Sequence, residues 1–383
     1  MAHITKRIGL PTPTMHGDEM KFIQEAFDKN WIAPLGFNCD GFEEEIVQYL
    51  DGDGAVGLHG LCLVSGTSAL HLAIKLAGVK RGDRVFCSDM TFAATANPIV
   101  YEGGIPVFID SERETWNMDP VALEKAFEKY PDTKVVMLAH LYGTPAKMDE
   151  ILAICEKYGA VLIEDAAEAL GASYKGRMCG TFGEYNAISF NGNKIITTSG
   201  GGMLLTPSKK ARDKALFWAT QSREKTIWYQ HEEIGYNYRM SNVLAGIGRG
   251  QLMHIDEHLM HKERIYRHYE NGLKAVAVTM NPYLEDSTSN FWLSCLLVDK
   301  EAKVDPLYIL NILADNNIDS RPIWKPMHMQ PVFSECDFIY AEDTPVDEDI
   351  YARGLCLPSD IKTTNDELDF VIEKIKFCFE IGF

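Results

Sequence analysis

Three short segments between residues 163 and 203 decide the fold that this sequence predicts. They read, in order, Ile163-Glu164-Asp165-Ala166-Ala167-Glu168, Ser189-Phe190-Asn191-Gly192-Asn193-Lys194 and Ser199-Gly200-Gly201-Gly202-Met203. An acidic pair ends an apolar run, a lysine follows a short strand, and glycines follow the lysine. This order suits a carbonyl cofactor with a ring nitrogen, because the lysine amine could form an imine while the aspartate keeps the ring nitrogen protonated.

Each of these residues also has a plain structural interpretation. Lys194 could be a surface lysine in a hairpin, as lysines mostly are. Asp165 and Glu168 could belong to a solvated acidic turn, and the glycines could simply form a turn. Burial of Lys194 among its small and apolar neighbours would instead penalise its charged form and favour imine chemistry.

Upstream of these segments, apolar runs alternate with amphipathic helices. Strands are predicted at 61–64, 85–87, 105–109, 135–139 and 160–163, and helices at 17–30, 42–50, 91–100, 121–130 and 148–158, with a further helix beginning after residue 68. The apolar runs lack polar alternation, which predicts a parallel sheet buried on both faces. Ligands of such sheets gather at the carboxyl ends of the strands. Residues 65–68, 89–92 and 165–168 all follow strand ends, so we expect them to converge.

The turn Ser65-Gly66-Thr67-Ser68 joins a strand to a helix. Small residues there leave backbone N–H groups free, and the helix dipole adds partial positive charge, so the turn predicts a phosphate site. Taken alone, the same residues would favour an ordinary helix N-cap. Phe92 could stack on a cofactor ring, although an aromatic residue after a strand is more often part of the core.

The chain of 383 residues is long for a single core, which favours two domains. We place a large domain at 1–250 and a smaller α+β domain at 251–383, by pattern alone. The latter has predicted helices at 255–273, 307–316 and 366–379, a strand at 291–298, and many charges on its first helix, most simply a solvated face.

Composition narrows the classes of function. The formal charge of −18 disfavours a nucleic-acid surface, which needs clustered positive charge. The nine cysteines include no Cys-x-x-Cys pair, which suits reduced thiols in a cytosol. Residues 1–11 show no signal peptide, and no apolar run approaches the ~20 residues of a membrane span. We therefore expect a cytoplasmic protein that binds neither nucleic acid nor membrane.

Taken together and in this order, five motifs resemble the DegT/StrS family of sugar-nucleotide aminotransferases, which are fold type I enzymes that use pyridoxal 5'-phosphate (PLP). The motifs lie at 65–70, 89–92, 164–168, 189–194 and 235–241, and the resemblance covers nearly the whole chain. It implies a mostly parallel central sheet with flanking helices and a smaller C-terminal domain.

The resemblance also implies a role for each matching residue. Lys194 would bind PLP covalently and afterwards move the proton between the substrate carbon and the cofactor. Around PLP, Asp165 would pair with the ring nitrogen, Phe92 would stack on the ring, Glu168 would face the ring oxygen, and Thr67, Ser68 and Ser189 would hold the phosphate. Asn237 would reach the phosphate of the neighbouring subunit, which implies a homodimer with shared sites. The residues expected near the nucleotide sugar are Arg321, Trp324, Lys325 and His328, although a packed aromatic loop would explain them nearly as well. No metal site is predicted.

Three comparisons with the family qualify these roles. The family often has a glutamate six positions after the lysine, where this chain has Gly200. Many relatives have glutamine in place of Glu168, so the contact of Glu168 with the ring oxygen would need a shared proton. Relatives that replace the lysine with histidine are dehydratases, so Lys194 favours transamination.

The expected reaction has two stages. Glutamate would give its amino group to PLP, and a 4-keto-6-deoxy sugar nucleotide would then accept it. The segments at 189–203 and 324–328 look most like enzymes acting on UDP-4-keto-6-deoxy-N-acetylglucosamine, as in N-acetylbacillosamine synthesis. This substrate assignment is analogy. The alternatives are a PLP-dependent sugar dehydratase, a non-catalytic PLP-binding regulator, and a plain α/β protein without cofactor.

Overall fold

The computed structural model describes residues 6–381 and has the predicted α/β organisation. Residues 1–5, part of the segment in which no signal peptide is predicted, lie outside the described residues, as do 382 and 383. Among the helices within 6–381, none combines the length and apolar character needed to cross a membrane.

The strands, in chain order, are β1 (His59–Leu63), β2 (Arg84–Ser88), β3 (Ile105–Ile109), β4 (Val135–Ala139), β5 (Val161–Asp165), β6 (Ser173–Tyr174), β7 (Arg177–Met178), β8 (Tyr185–Ser189), β9 (Gly202–Thr206), β10 (Val278–Met280), β11 (Ser287–Thr288), β12 (Cys295–Val298), β13 (Arg321–Pro322), β14 (Phe338–Ile339) and β15 (Gly354–Cys356). The helices are α1 (Glu19–Asp28), α2 (Phe37–Leu50), α3 (Gly66–Leu76), α4 (Ala93–Tyr101), α5 (Pro120–Lys129), α6 (Met148–Tyr158), α7 (Lys209–Ala219), α8 (Asn242–Leu252), α9 (Ile255–Leu273), α10 (Pro306–Asp315), α11 (Val346–Arg353) and α12 (Asn365–Ile381).

The main sheet of the described chain has the strand order β1-β9-β8-β5-β4-β2-β3-β14. All neighbouring strands from β8 to β14 run parallel, and β9 is antiparallel to both β1 and β8. Both faces are buried, as predicted: along β4, Val135 and Met137 join one apolar cluster, while Val136 and Leu138 join another on the opposite face. This two-sided burial explains why the parallel strands read as continuous apolar runs.

Two smaller sheets lie outside the main one, with the orders β10-β12-β15-β13 and β11-β6-β7. The first carries an apolar cluster shared with α9, α10 and α12. Strand β14, however, returns to the main sheet and pairs with β3. Residues beyond 250 therefore contribute to both sheets, and the proposed division at residue 250 stays a prediction.

Several predicted boundaries were wrong, among them those of α2, β12 and β5. Helix α2 begins at Phe37, before the predicted start at 42, and so includes Gly41. A side chain at Gly41 would meet the Arg249 guanidinium carbon at 2.8 Å, so this glycine allows close packing against α8. The strand predicted at 291–298 is confined to β12, because Phe291 has a φ of 49°, which no strand residue adopts.

The third boundary lies at β5, which continues through Glu164 to end at Asp165, where 160–163 had been predicted. One charged residue of α9 departs from the predicted solvated face: Lys262 is buried, and its amine donates to the Trp292 carbonyl at 2.8 Å.

Candidate active site

A cavity of about 340 Å³ opens at the carboxyl ends of β1, β2, β4, β5 and β8. The convergence predicted from topology is therefore present in the structure. Seven predicted site residues line the cavity: Thr67, Phe92, Asp165, Glu168, Ser189, Lys194 and Trp324.

Lys194 lies in the turn between β8 and β9 and is largely buried, with 11% of its side chain exposed. Its Nζ atom donates to Glu168 Oε1 at 3.2 Å. The same Nζ lies 4.1 Å from the centroid of the Trp292 ring, a cation–π contact. The lysine is thus held inside the cavity and is not a surface residue of a hairpin.

Asp165, the last residue of β5, lies at the base of the cavity. Its Oδ2 atom accepts a hydrogen bond from Thr95 Oγ1 at 2.7 Å, and its Oδ1 atom accepts one from the Ala167 amide at 3.0 Å. Burial raises the pKa of Asp165, while these hydrogen bonds and the positive charge of Lys194 oppose the rise. A cationic ring placed beside this carboxyl group would therefore gain a desolvated counter-ion.

Glu168 is held at both carboxylate oxygens. Oε1 accepts from Lys194, and Oε2 accepts from the Tyr142 amide at 2.8 Å. Tyr142 has a φ of 52°, a left-handed conformation that is uncommon for a residue with a side chain. Burial raises the pKa of Glu168 to about 7, against the opposing effect of Lys194. Glu168 can therefore gain or lose a proton near neutral pH.

A buried histidine–glutamate pair lies next to Asp165. The His140 backbone amide donates to the Asp165 carbonyl at 3.1 Å, and His140 Nδ1 accepts from the Ala146 amide at 3.1 Å. Because Nδ1 accepts, the ring proton is on Nε2, which donates to Glu164 Oε1 at 2.9 Å. His140 is therefore held as the neutral tautomer.

The phosphate site predicted from the sequence lies at the start of α3. Ser65 and Ser68 make a reciprocal capping box, in which each side chain receives the backbone N–H of the other. Ser68 Oγ also donates to the Ser65 carbonyl at 2.6 Å, so this hydroxyl caps the helix and does not line the cavity. Ser65, Thr67 and Ser189 all line the cavity here.

Two glycines allow these segments to approach each other. A side chain at Gly66 would meet Ser189 Cβ at 3.0 Å, and one at Gly202 would meet the Ser65 carbonyl carbon at 2.3 Å. The close approach brings the helix start, where the first N–H groups have no partner within the helix, against the end of β8. Helix starts of this kind are where proteins commonly bind anions.

Aromatic side chains form the other wall. Phe92, the residue before α4, is 59% exposed, and its ring centroid is 5.4 Å from that of Trp324. The Trp324 amide donates to the Tyr142 hydroxyl at 3.0 Å. The Trp292 indole N–H donates to the Asn193 carbonyl at 2.7 Å, next to Lys194.

The remaining predicted residues do not line this cavity within the described chain: Ser68, Asn237, Arg321, Lys325 and His328. Asn237 is exposed and follows an exposed apolar segment. Arg321 is exposed and donates to the Ser320 carbonyl. The ring of His328 is instead hydrogen-bonded to the carboxylates of Asp89 and Glu348. The roles of these residues stay predictions.

Sequence reasoning missed four residues of the site: Thr95, His140, Tyr142 and Trp292. His140 and Tyr142 follow the end of β4, so the strand-end rule used elsewhere could have found them. Thr95 lies three residues after Phe92 on the first turn of α4, where its hydroxyl reaches Asp165. Trp292 comes from a distant part of the chain, and no local pattern marks it.

Comparison with known proteins assigns this arrangement to one family. A sequence model of the DegT/DnrJ/EryC1/StrS aminotransferase family matches residues 13–376. EpsN of Bacillus subtilis (strain 168), a candidate pyridoxal phosphate-dependent aminotransferase by its name, is 49% identical over 98% of this chain and 96% of its own length.

Two further relatives agree. GDP-perosamine synthase of Escherichia coli O157:H7 is 34% identical over 97% of this chain and 98% of its own length. The crystal structure of a DegT DnrJ EryC1 StrS aminotransferase from Brucella abortus superposes with a TM-score of 0.85 at 26% identity, covering 95% of each chain. The predicted resemblance and the predicted aminotransferase fold are confirmed.

Proposed function

We propose that this chain, which belongs to the DegT/DnrJ/EryC1/StrS aminotransferase family, transfers an amino group from glutamate to a 4-keto-6-deoxy sugar nucleotide. Family membership makes it a PLP-dependent sugar aminotransferase. The donor, the nucleotide and the sugar are the parts that we propose. The observation that carries the proposal is the placement of Lys194 in one cavity with Asp165 and Glu168.

The residues present fit PLP. A phosphorylated pyridine with an aldehyde needs an anion site, a counter-ion for its ring nitrogen, a flat apolar contact and an amine. The close approach at Gly202 supplies the anion site, Asp165 the counter-ion, Phe92 the flat apolar contact and Lys194 the amine. We propose that Thr67 and Ser189 hold the phosphate with their hydroxyls, and that Ser68 contributes by capping the helix that presents the amides.

When bound, PLP supplies an electron-withdrawing ring that stores the amino group between the two stages. The work of the protein is to move protons. Lys194 Nζ is the base that would take a proton from the substrate carbon and return it. Glu168, 3.2 Å from that nitrogen and with a pKa of about 7, would share the proton. Asp165 would keep the ring nitrogen charged, helped by the hydrogen bonds that its carboxylate accepts from Thr95 and the Ala167 amide.

For the acceptor, we propose a UDP-linked 4-keto-6-deoxy-N-acetyl sugar, as in N-acetylbacillosamine synthesis, on the resemblance of residues 189–203 and 324–328. Trp324 would contact it, since this side chain lines the cavity beside Phe92. Arg321 and Lys325 would meet the nucleotide at the rim. A GDP-linked sugar is the second candidate, because a relative 34% identical to this chain is named GDP-perosamine synthase.

We propose a homodimer with shared sites. Residues 227–234 expose several apolar side chains, among them Ile227 at 93% and Ile234 at 81%, and lead directly to Asn237. An apolar patch of this kind on one chain is typical of an interaction surface. Asn237 would then complete the phosphate site of the partner. The cysteines of the described chain are all free and mostly buried, which supports a reducing, cytoplasmic location.

The first experiment tests the amine. The purified protein reconstituted with PLP should be yellow, and Lys194→Ala should lose the absorbance of the covalent complex while keeping the circular dichroism of the parent. Glutamate should convert the yellow form, releasing 2-oxoglutarate. A protein that stays colourless with added PLP would contradict the proposed chemistry.

The second experiment identifies the acceptor. The glutamate-treated protein is incubated with a panel of UDP-, GDP- and dTDP-linked 4-keto sugars, and products are identified by mass spectrometry. We expect an amino sugar from the UDP-linked substrate. Loss of a hydroxyl without amination would indicate the dehydratase, and cofactor binding without turnover of any sugar would indicate the regulator.

The third experiment tests the shared site. Lys194→Ala and Asn237→Ala are each expected to impair turnover alone. Unfolded together and refolded as mixed dimers, they should recover part of the activity, because one of the two sites then has both residues intact. A monomer in light scattering, or no recovery on mixing, would contradict the shared dimer.

A further inference from the structure

Asp89 binds the segment that follows Trp324. This aspartate, the first residue after β2, is completely buried. Its Oδ1 atom accepts from the His328 amide at 2.7 Å, and its Oδ2 atom lies 2.5 Å from His328 Nδ1. Its carbonyl accepts from the Met327 amide at 3.0 Å. Three hydrogen bonds therefore join one residue beside the cavity to two consecutive residues of a distant segment.

The ring of His328 has no nitrogen left for a ligand. Nδ1 is taken by Asp89, and Nε2 lies 3.3 Å from Glu348 Oε1 on α11. The ring face stacks on Phe338 of β14, with centroids 3.9 Å apart and planes 5° apart. Burial lowers the pKa of His328, but the two carboxylates outweigh burial and raise it above its usual value. The side chain is thus held between two carboxylates, which favour its protonated form.

A third acid, Asp347 on α11, lies behind Asp89. Its Oδ1 atom accepts from the Ser111 amide at 3.2 Å, but its Oδ2 atom is buried and has no hydrogen-bond partner in the described chain. If Oδ2 carried a proton, it could donate a hydrogen bond to the neighbouring Asp89 carboxylate. Burial and the charges of Asp89 and Asp110 raise the pKa of Asp347, which favours its protonated form.

These contacts connect the two segments that carry Phe92 and Trp324 in the cavity wall. Asp89 is three residues before Phe92, and His328 is four residues after Trp324. The rings of Phe92 and Trp324 are 5.4 Å apart and both line the cavity. Without the Asp89 contacts, the segment carrying Trp324 would lose its hydrogen bonds to the segment carrying Phe92.

We propose that Asp89, His328 and Asp347 form a positioning clamp that holds Trp324 against Phe92 at the substrate entrance. In this assignment His328 acts through Asp89 and does not touch the sugar nucleotide. The inference rests on the proposed function for its kinetic readout, but its structural readout is independent of any substrate. The charged groups that face His328 are Asp89 from the end of β2 and Glu348 from α11, with Asp347 and Asp110 behind them.

The first test compares His328→Asn with His328→Leu in the PLP-loaded protein. The two side chains have nearly the same shape, and both lose the stacking on Phe338, but only the asparagine amide can donate to Asp89 in place of Nδ1. In the leucine variant we expect amide hydrogen exchange of residues 324–330 to become about tenfold faster, from loss of a charge-assisted hydrogen bond. The KM for the sugar nucleotide should rise by a similar factor, while the glutamate half-reaction stays within about twofold, since Trp324 is proposed to contact the sugar nucleotide and not glutamate.

The asparagine variant should recover most of both effects. The matched control is His268→Asn, which removes a comparable contact to Asp369 on the surface of α9 and should change neither readout. Unchanged exchange in His328→Leu would overturn the clamp. Equal KM increases in the two His328 variants, with exchange unchanged, would show that the ring itself contacts the substrate.

The second test concerns Asp347. The folded pKa of this acid is raised, so its contribution to stability is present below the unfolded value of 3.8 and is lost as pH rises towards the folded value. Asp347→Asn keeps a donor to Asp89 and cannot ionise. The Tm of Asp347→Asn relative to that of the parent should therefore increase as pH rises. Amide hydrogen exchange of residues 324–330 should stay unchanged in this variant. Asp347→Ala should speed that exchange.

If the Tm difference between Asp347→Asn and the parent does not change with pH, Asp347 does not donate a proton to Asp89. If no sugar nucleotide is aminated but exchange responds as stated, the proposed acceptor is wrong and the clamp stands. If amination proceeds but substitutions at His328 and Asp347 do not change amide hydrogen exchange, the clamp is wrong and the proposed function stands.

Discussion

The indole of Trp292 supports Lys194 at two points: its ring lies 4.1 Å from Lys194 Nζ, and its N–H donates to the carbonyl of the preceding residue at 2.7 Å. Trp292 is itself anchored from below, because the buried amine of Lys262 donates to its carbonyl at 2.8 Å. The Lys194 amine is therefore positioned by a residue almost one hundred positions away in sequence.

Trp292→Phe and Trp292→Leu separate the two contacts. Phenylalanine keeps an aromatic face under Lys194 but loses the hydrogen bond to Asn193, and leucine loses both. A cation–π contact contributes about 0.5–2 kcal/mol, so we expect kcat to fall a few-fold for phenylalanine and about tenfold or more for leucine. Stopped-flow measurement of the glutamate half-reaction checks this order. Equal effects of the two variants would show that the ring face contributes nothing.

Glu168 should make the stability of the cofactor-free chain depend on pH. Its folded pKa of about 7 exceeds the unfolded value of 4.5, so folding takes up a proton. Its contribution to stability is therefore present below pH 4.5 and is lost as pH rises through 7, by a total of about 3 kcal/mol. Urea unfolding from pH 4.5 to 8 should show this loss in the parent relative to Glu168→Gln. Parallel pH curves for the two proteins would contradict the raised pKa.

The substitution Asp165→Asn should have opposite effects on folding and on cofactor chemistry. Burial raises the pKa of Asp165, so its charge is unfavourable in the cofactor-free chain at neutral pH, and the amide should stabilise that chain. PLP binding and turnover should weaken by about 10- to 100-fold, because a charge-assisted hydrogen bond to the ring nitrogen is lost. Fluorescence titration with PLP and thermal unfolding of the same samples measure both effects. A variant that binds PLP as tightly as the parent would remove Asp165 from the site.

Gly202→Ala and Gly200→Ala form a matched pair two residues apart. A side chain at Gly202 would meet the Ser65 carbonyl carbon at 2.3 Å, whereas one at Gly200 would meet nothing within 4 Å. We expect Gly202→Ala to destabilise the fold by about 1–3 kcal/mol through overpacking and to weaken phosphate binding. Gly200→Ala should leave both unchanged within about 0.5 kcal/mol. Urea unfolding and titration with PLP test the pair, and equal behaviour of the two variants would contradict the close approach at Ser65.

Much of the scaffold was predictable because its signals are local. The strands at 105–109 and 135–139 and the helices at 148–158 and 255–273 were predicted at the bounds that the structure shows. Their apolar runs and helical periodicity depend only on neighbouring residues. Boundaries set by contacts with distant segments were missed, as at Gly41, whose missing side chain makes room for Arg249.

The sequence by itself determined which segments reach the cavity, because parallel strands separated by helices must bring their carboxyl ends to one edge of the sheet. Only the tertiary structure decided which way the side chains of those segments point. Trp292, from a distant part of the chain, contacts Lys194, while the His328 ring is hydrogen-bonded to Asp89 and does not line the cavity. Such choices depend on hydrogen bonds and packing between residues far apart in sequence, and burial then shifts the pKa of Glu168 by an amount that no local pattern contains.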